Sequence, residues 1–339
     1  MPRGRSAAGV LLVATFALFP VAALAQAVPS FALPIDCVVG RSCIIQNYVD
    51  RDPGPGASDY RCGFLTYDGH KGTDIRVIDA RALRDGVAVL AAAPGRVRAI
   101  RDGMADVSVK AIGKQAIAGR EAGNSVVIVH GGGWETQYAH MRRGSVAVRP
   151  GDVVAAGARL GVVGLSGDTE FPHVHFEIRY RGKTVDPFVG LAGGEPCTAG
   201  KEPLWQARTA KALAYAATGV LGAGIAGGAP VTSDDDVDLG KTARFGVDAS
   251  AAVFWVQIYG ARDDDVEELR LIAPDGRLLA EHRDSISRNR AQWISYAGAR
   301  ARGAWLTGTY RGEYALYRGE RREKVLSFAR EITLAPGSS

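Results

Sequence analysis

The sequence predicts a mainly β protein, with antiparallel sheets in a first strand-rich domain followed by a β-sandwich. Three observations carry that expectation. Glycine occurs 43 times in 339 residues, about twice its ordinary share, while only 15 prolines and the lack of a Gly-X-Y period exclude collagen. Short alternating or apolar segments recur between glycine-bearing turns from residue 29 onward, the signature of short strands. The last third of the chain contains no helix-length periodic segment. The length suits about two domains. A content of 47% hydrophobic and 23% charged residues is that of a folded protein rather than a disordered or coiled-coil one. A formal charge of +5 is a mild excess, without the concentrated basicity of a nucleic-acid binder.

Arg3 and Arg5 precede an apolar stretch over residues 7–24 that closes on Ala23-Leu24-Ala25. A basic start, a short apolar core and a small-x-small exit predict a secretory signal peptide over residues 1–25, cleaved after Ala25. The alternative is an N-terminal membrane anchor; against it, Pro20 interrupts the run and no cysteine follows the cleavage site to take a lipid. Cleavage removes two arginines and no acids, leaving a mature charge of about +3. The mature chain is expected to lack a transmembrane span and to be exported, to the periplasm or the extracellular space.

Export places Cys37, Cys43, Cys62 and Cys197 in an oxidising compartment, where disulfides persist. Four cysteines allow three connectivities. The preferred one is a local Cys43–Cys62 staple with Cys37–Cys197 tying together the ends of the first domain. The spacings fit no paired C-x-x-C zinc knuckle.

Within the first domain, residues 87–92, 96–101, 125–130, 135–140, 160–165 and 173–180 read as strands. Residues 105–122 read as a helix-like excursion on this β core. Residues 222–227 match G-x-G-x-x-G letter by letter, but no βαβ unit surrounds them, Pro230 closes the stretch, and an exported protein meets few nucleotides. The Ala- and Gly-rich run is also too short and glycine-rich to span a membrane. It reads as part of a linker over residues 201–230, or as the opening strand of the next domain. Segments 252–259, 268–273, 277–282, 291–296, 304–309, 313–318 and 325–334 predict about seven short strands, hence a β-sandwich over residues 231–339. Pro274-Asp275-Gly276 marks a turn between two of them. The acidic clusters 234–236 and 263–265 lack the glycine and terminal glutamate of a calcium loop and read as solvated loops.

The chemistry lies in the histidines. Five of the six, His70, His130, His140, His173 and His175, fall in the first strand-rich block, and only His282 lies outside it. Residues 173–180 alternate with period two, so His173, His175, Glu177 and Arg179 share one strand face. Two imidazoles about 6–7 Å apart on that face can address a single metal centre. His70 and Asp74, four apart with Gly72 between them, can fold onto one ion from a turn or strand end. Alternation in residues 136–140 places Thr136, Tyr138 and His140 on one face. Imidazole and carboxylate suit zinc, whose catalytic sites use three protein ligands and a water. The histidines beyond three ligands are left for acid–base work.

His70-x-x-x-Asp74, Tyr138-Ala139-His140-Met141 and His173-Val174-His175, in that order, resemble the lysostaphin-type (LytM-domain) zinc metallopeptidases, which cut the peptides of bacterial peptidoglycan. Supporting segments are Ala93-Pro94-Gly95-Arg96-Val97, residues 123–130, and Gly151-Asp152-Val153-Val154 leading to Gly161-Val162-Val163-Gly164. The resemblance implies an antiparallel β-sheet metallopeptidase domain over residues 26–200, with its core at 60–190. It implies one zinc ion per chain on His70, Asp74 and His175, with His140 and His173 as catalytic histidines outside the ligand set. It further implies attack of a zinc-activated water on an amide of the peptidoglycan peptide stems. His130 and His282 are expected to be structural.

Two features depart from the family pattern. Residues 102–122 separate two strands that many members join directly, as a groove wall or as decoration. Met141 stands where leucine is commoner, an isosteric apolar swap. All five functional positions are present, which favours an active enzyme over a non-catalytic regulator of other wall hydrolases; a secreted protease acting on proteins is the third reading. The sequence specifies neither the bond cleaved nor a protein partner.

Overall fold

The computed structural model of the protein describes residues 28–233, 236–237 and 241–335, together with Met1. Apart from Met1, the expected signal peptide lies outside the described residues, as do Asp234 and Asp235 of the first acidic cluster. In the first unit the strands are β1 (Cys43–Asn47), β2 (Thr73–Val77), β3 (Ala88–Leu90), β4 (Gly95–Arg101), β5 (Asn124–Gly131), β6 (Trp134–Met141), β7 (Val153–Val154), β8 (Arg159–Val162), β9 (His173–Tyr180) and β10 (Lys183–Thr184). An eight-stranded antiparallel sheet runs β1-β2-β9-β6-β5-β4-β7, with β10 against β9, while β3 and β8 pair separately. Strict alternation in β9 buries Val174, Phe176 and Ile178 on the inner face. The helices are short: α1 (Ala80–Asp85), capped by the Asp79 carboxylate, α2 (Val109–Ile112) and α3 (Ala207–Ala212). Of the helix-like excursion, only α2 and the 3₁₀ turn Lys114–Ile117 form, because Gly113 and Gly119 take positive φ and end each turn.

The second unit contains β11 (Gly219–Ala226), the two-residue pair β12 (Thr232–Ser233) and β13 (Asp236–Val237), then β14 (Ala251–Ala261), β15 (Val266–Ile272), β16 (Leu278–Ser285), β17 (Arg290–Arg300), β18 (Gly308–Arg318) and β19 (Glu323–Leu334). Sheets β11-β14-β17 and β16-β15-β18-β19 close on a shared core of Phe254, Val256, Leu269, Leu271, Tyr314 and Leu316. Gly312 on β18 lies against the Phe254 ring of the opposite sheet, where a Cβ has no room. Residues 304–309, expected as a strand, are mostly loop; Trp305 instead docks on residues 247–249 through its backbone N–H and its indole. β11, carrying the false nucleotide motif, completes the seven strands of the two sheets. In the acidic cluster 263–265, Asp265 is fully buried in a two-pronged ion pair with Arg318, at 2.8 and 2.7 Å.

The disulfides are Cys37–Cys43 and Cys62–Cys197, which corrects the expected pairing. Cys37 sits on the tight turn that leads into β1, where Gly40 N–H bonds the Cys43 carbonyl. Tyr60 stacks on Phe188 at 4.8 Å, and so brings the Cys62 loop to the segment that follows the sheet. The first core also extends into the second unit, through Leu221 of β11 and Tyr259 of β14.

Asp186, just after the sheet, is 5% exposed. Its Oδ1 accepts from Phe188 N–H at 2.9 Å, but Oδ2 has no hydrogen-bond donor, since the Arg51 guanidinium is 3.8 Å away. Burial first, and the nearby Asp59 as well, push its pKa up to about 6 against the backbone bond and Arg51. The folded state therefore binds this proton more readily than the unfolded chain. The stabilisation from this group is complete below about pH 4 and lost as pH rises through about 6, a swing of about 3 kcal/mol. Asp186→Asn is expected to raise Tm by a few degrees at pH 7–8, with the gain shrinking towards pH 4. A Tm difference from the parent that is constant over pH 4–8 would rule out this account.

Candidate metal centre and active site

Asp74 pairs with His175, and Arg76 with His173, across β2 and β9. Alternation therefore puts Asp74 on the strand face of both histidines. His70 enters from the turn before β2. Its Nδ1–H donates to the Tyr48 carbonyl at 2.6 Å, which leaves Nε2 at 3.2 Å from Asp74 Oδ2 and 3.2 Å from His175 Nδ1. His175 Nδ1 lies 2.9 Å from Asp74 Oδ1. Gly72 makes this approach possible, because a Cβ there would sit 2.6 Å from the His175 ring.

His140 reaches the same place by another route, and the expectation that it shares a face with Thr136 and Tyr138 is corrected. Those two side chains are fully buried towards the core, with the Tyr138 hydroxyl accepting from Ala92 N–H at 2.8 Å. The β5–β6 register shifts between Asn124 and Val126, and His140 takes φ +61°. This bulge turns its imidazole onto the opposite face, 4.7 Å from the His173 ring and 5.8 Å from the His175 ring. Backbone bonds hold the left-handed residue, from His140 N–H to the Ala122 carbonyl and from Gly164 N–H to the His140 carbonyl, both 3.0 Å.

The catalytic candidates are oriented by backbone carbonyls. His140 Nδ1–H donates to Ser166 at 2.8 Å, and His173 Nδ1–H to Phe171 at 2.9 Å, with Thr169 Oγ1 3.1 Å away. His173 Nε2 faces Asp74 Oδ1 at 3.3 Å. The excursion braces the loop that carries these carbonyls. Val109 N–H bonds Thr169 at 3.0 Å and Asp168 N–H bonds Glu121 at 2.7 Å, while Lys110 pairs with Glu170 at 3.1 Å and Lys114 with Asp168 at 3.3 Å. His130 is set apart, bonded to the Pro94 carbonyl at 2.7 Å and Thr136 at 2.8 Å. His282 lies in the second unit, 3.6 Å from the buried Glu267 carboxylate.

The family model for Peptidase family M23 matches residues 68–187, which contain all five of these side chains. Residues 68–187 are a peptidase family M23 domain. The cell division protein DipM of Caulobacter vibrioides is 40% identical over 88 residues, covering 23% of this chain and 14% of DipM. Peptidoglycan DD-endopeptidase ShyA of Vibrio cholerae is 40% identical over 65 residues, covering 19% of this chain and 15% of ShyA. Murein hydrolase activator NlpD of Escherichia coli is 33% identical over 119 residues, covering 35% of this chain and 25% of NlpD. The chain thus matches a quarter or less of the length of these relatives.

Within the M23 domain the carboxylate decides the electrostatics. Asp74 is 2% exposed. Burial alone would raise its pKa, but His70 and His173, with hydrogen bonds from His173 and His175, hold it well below the carboxylate range. Burial pulls His70 down, and is outweighed by Asp74 and the Tyr48 carbonyl, so this imidazole is raised. His140 is held well below its ordinary value, by burial first and then by His173 and His175.

A divalent cation fits this donor set. No lysine or arginine pairs with Asp74 among the described residues; its partners are three imidazoles and the Asn47 amide, at 2.9 Å. With Nδ1 turned to the Tyr48 carbonyl, Nε2 is the His70 atom that a cation would take, in place of the proton it shares with Asp74. The ligand atoms of two triads, His70–Asp74–His175 and His140–His173–His175, each lie within 4.8 Å of one another. The first offers two imidazoles and a carboxylate and the second three imidazoles, and both sets occur at catalytic zinc sites. Sequence reasoning missed Tyr48, Asn47, Ser166 and Thr169. Of these, only Ser166 and Thr169 carry a local signal, a turn around Gly167 just before the His-x-His pair.

Proposed function

We propose that the chain is an exported, zinc-dependent metalloendopeptidase that hydrolyses peptide cross-links of bacterial peptidoglycan. The observation that carries this reading is the convergence of His70 Nε2, Asp74 and His175 Nδ1 beside two further imidazoles. On this reading His70, Asp74 and His175 hold one zinc ion, within a catalytic domain over residues 26–200; the sandwich expected from residue 231 already begins at β11, Gly219–Ala226. Bound there, zinc would supply Lewis acidity, polarising the scissile carbonyl and lowering the pKa of a water towards about 7.

The remaining chemistry belongs to the chain. His140 is neutral, with Nδ1–H committed to Ser166, so Nε2 is free to accept a proton from the attacking water and return it to the leaving amine. His173, whose Nε2 faces the site beside Asp74, is the imidazole placed to meet the developing oxyanion. Support for the wall substrate comes from ShyA, a peptidoglycan DD-endopeptidase by name, and from Mpg of Neisseria meningitidis, a DD-carboxypeptidase/endopeptidase. Among the described residues no helix is long and apolar enough to cross a membrane.

One finding favours a regulatory reading, the likeness to NlpD, named an activator of murein hydrolases. Mass analysis of defined cross-linked muropeptides separates the two. The enzyme reading expects each dimer to take up one water and give two monomers, with a chelator stopping the reaction and zinc restoring it. Dimers left intact by the zinc-loaded chain would favour the regulator.

A further inference from the structure

We propose that the second unit forms one wall of the substrate groove and that Gln292 on it contacts the bound peptide; this rests on the reading that the site takes peptides. Asp74, Phe171 and His173 line a groove of about 300 Å³. Lys114 of the excursion lies on it, and so do Ala291 and Gln292, at the start of β17. Among the described residues β17 pairs with β14 alone, at the border of its sheet. The Ala291 carbonyl points away from that partner and accepts Gln46 Nε2, from the end of β1, at 3.2 Å.

The Gln292 amide is held in one orientation. Its Oε1 accepts from Gln257 Nε2 at 3.0 Å, which presents its own Nε2 as a donor. The wall is also firmly mounted. Leu221 and Tyr259 belong to the first core, the Tyr215 hydroxyl donates to Asp59 at 2.9 Å, and the Arg262 guanidinium lies 5.6 Å from the Phe64 ring centre. Lys114 is already paired with Asp168. The lining therefore offers amide donors rather than an unpaired charge, and this suits the carbonyls of an extended peptide.

The test uses Gln292→Ala and Gln292→Trp in the full chain, with a glycan-free, cross-linked stem-peptide dimer as the probe. Binding is read by calorimetry with zinc chelated, and turnover separately with zinc present. Loss of one hydrogen bond predicts affinity about 3–10-fold weaker for Gln292→Ala. Gln292→Trp fills the groove and should weaken binding by more than about 10-fold. Tm and zinc stoichiometry should stay at the parent's values, and the alanine variant keeps the test readable if tryptophan disturbs the strand. Equal binding and turnover in the parent and both variants would overturn the wall assignment while leaving the peptidase reading intact. A parent that binds the dimer in a Gln292-dependent way without cutting it supports the wall and overturns the peptidase. A parent that neither binds nor cuts overturns both.

Discussion

Replacing His175 with alanine is expected to leave the chain folded, without zinc, and with hydrolysis of purified cell-wall sacculi at background. The residues of β9 that hold the core, Val174, Phe176 and Ile178, are on the face opposite His175, so the substitution removes no packing from the interior. The His175 side chain is itself 17% exposed, and water can fill the space it leaves. The loss falls on the metal instead. Two protein ligands, His70 and Asp74, would remain where a catalytic zinc uses three. Asp74 is a less clean target, because it also orients His70 and His173, and its removal would disturb the whole cluster. Metal analysis and a thermal melt on the same preparation check the prediction. One equivalent of zinc retained by the folded variant would sink the ligand assignment.

What could be read beforehand follows from which forces are local. β9 coincides with its expected span because alternation of apolar and polar side chains is itself the force that makes it a strand, and the same alternation puts His173, His175, Glu177 and Arg179 on one face. β1 and β2 have weaker local signals: each is five residues long and is defined mainly by its neighbour in the sheet. Alternation alone puts His140 on the core face, because a period of two assumes an unbroken ladder and a bulge adds one residue without a compositional mark. The orienting carbonyls of Tyr48, Ser166 and Phe171 are backbone atoms that any residue could supply. Disulfide partners are likewise decided by how loops return. The Tyr60–Phe188 stack that delivers Cys62 to Cys197 joins residues with no local relation in the chain.

His140→Ala should give the complementary result, one zinc ion retained and turnover lowered by about 10²–10⁴-fold, the usual share of a positioned general acid–base. Its pH behaviour adds a readout that loss of packing alone would not produce. Burial, then His173 and His175, hold this imidazole below its ordinary pKa, so the folded chain keeps it neutral where the unfolded chain takes up a proton. Its contribution to stability is thus present above about pH 6.5 and lost as pH falls through the lowered value. Removing the imidazole costs stability at neutral pH through the cavity left behind, but the gap between parent and variant should narrow below about pH 6.5. Metal content then decides between the two triads, which share His175. Zinc kept and turnover lost places the ion on His70, Asp74 and His175, with His140 moving protons. Zinc lost would place the ion on His140, His173 and His175, and Asp74 would become the group that orients them. Full activity in the variant would remove His140 from the mechanism and leave His173 as the only imidazole for proton transfer.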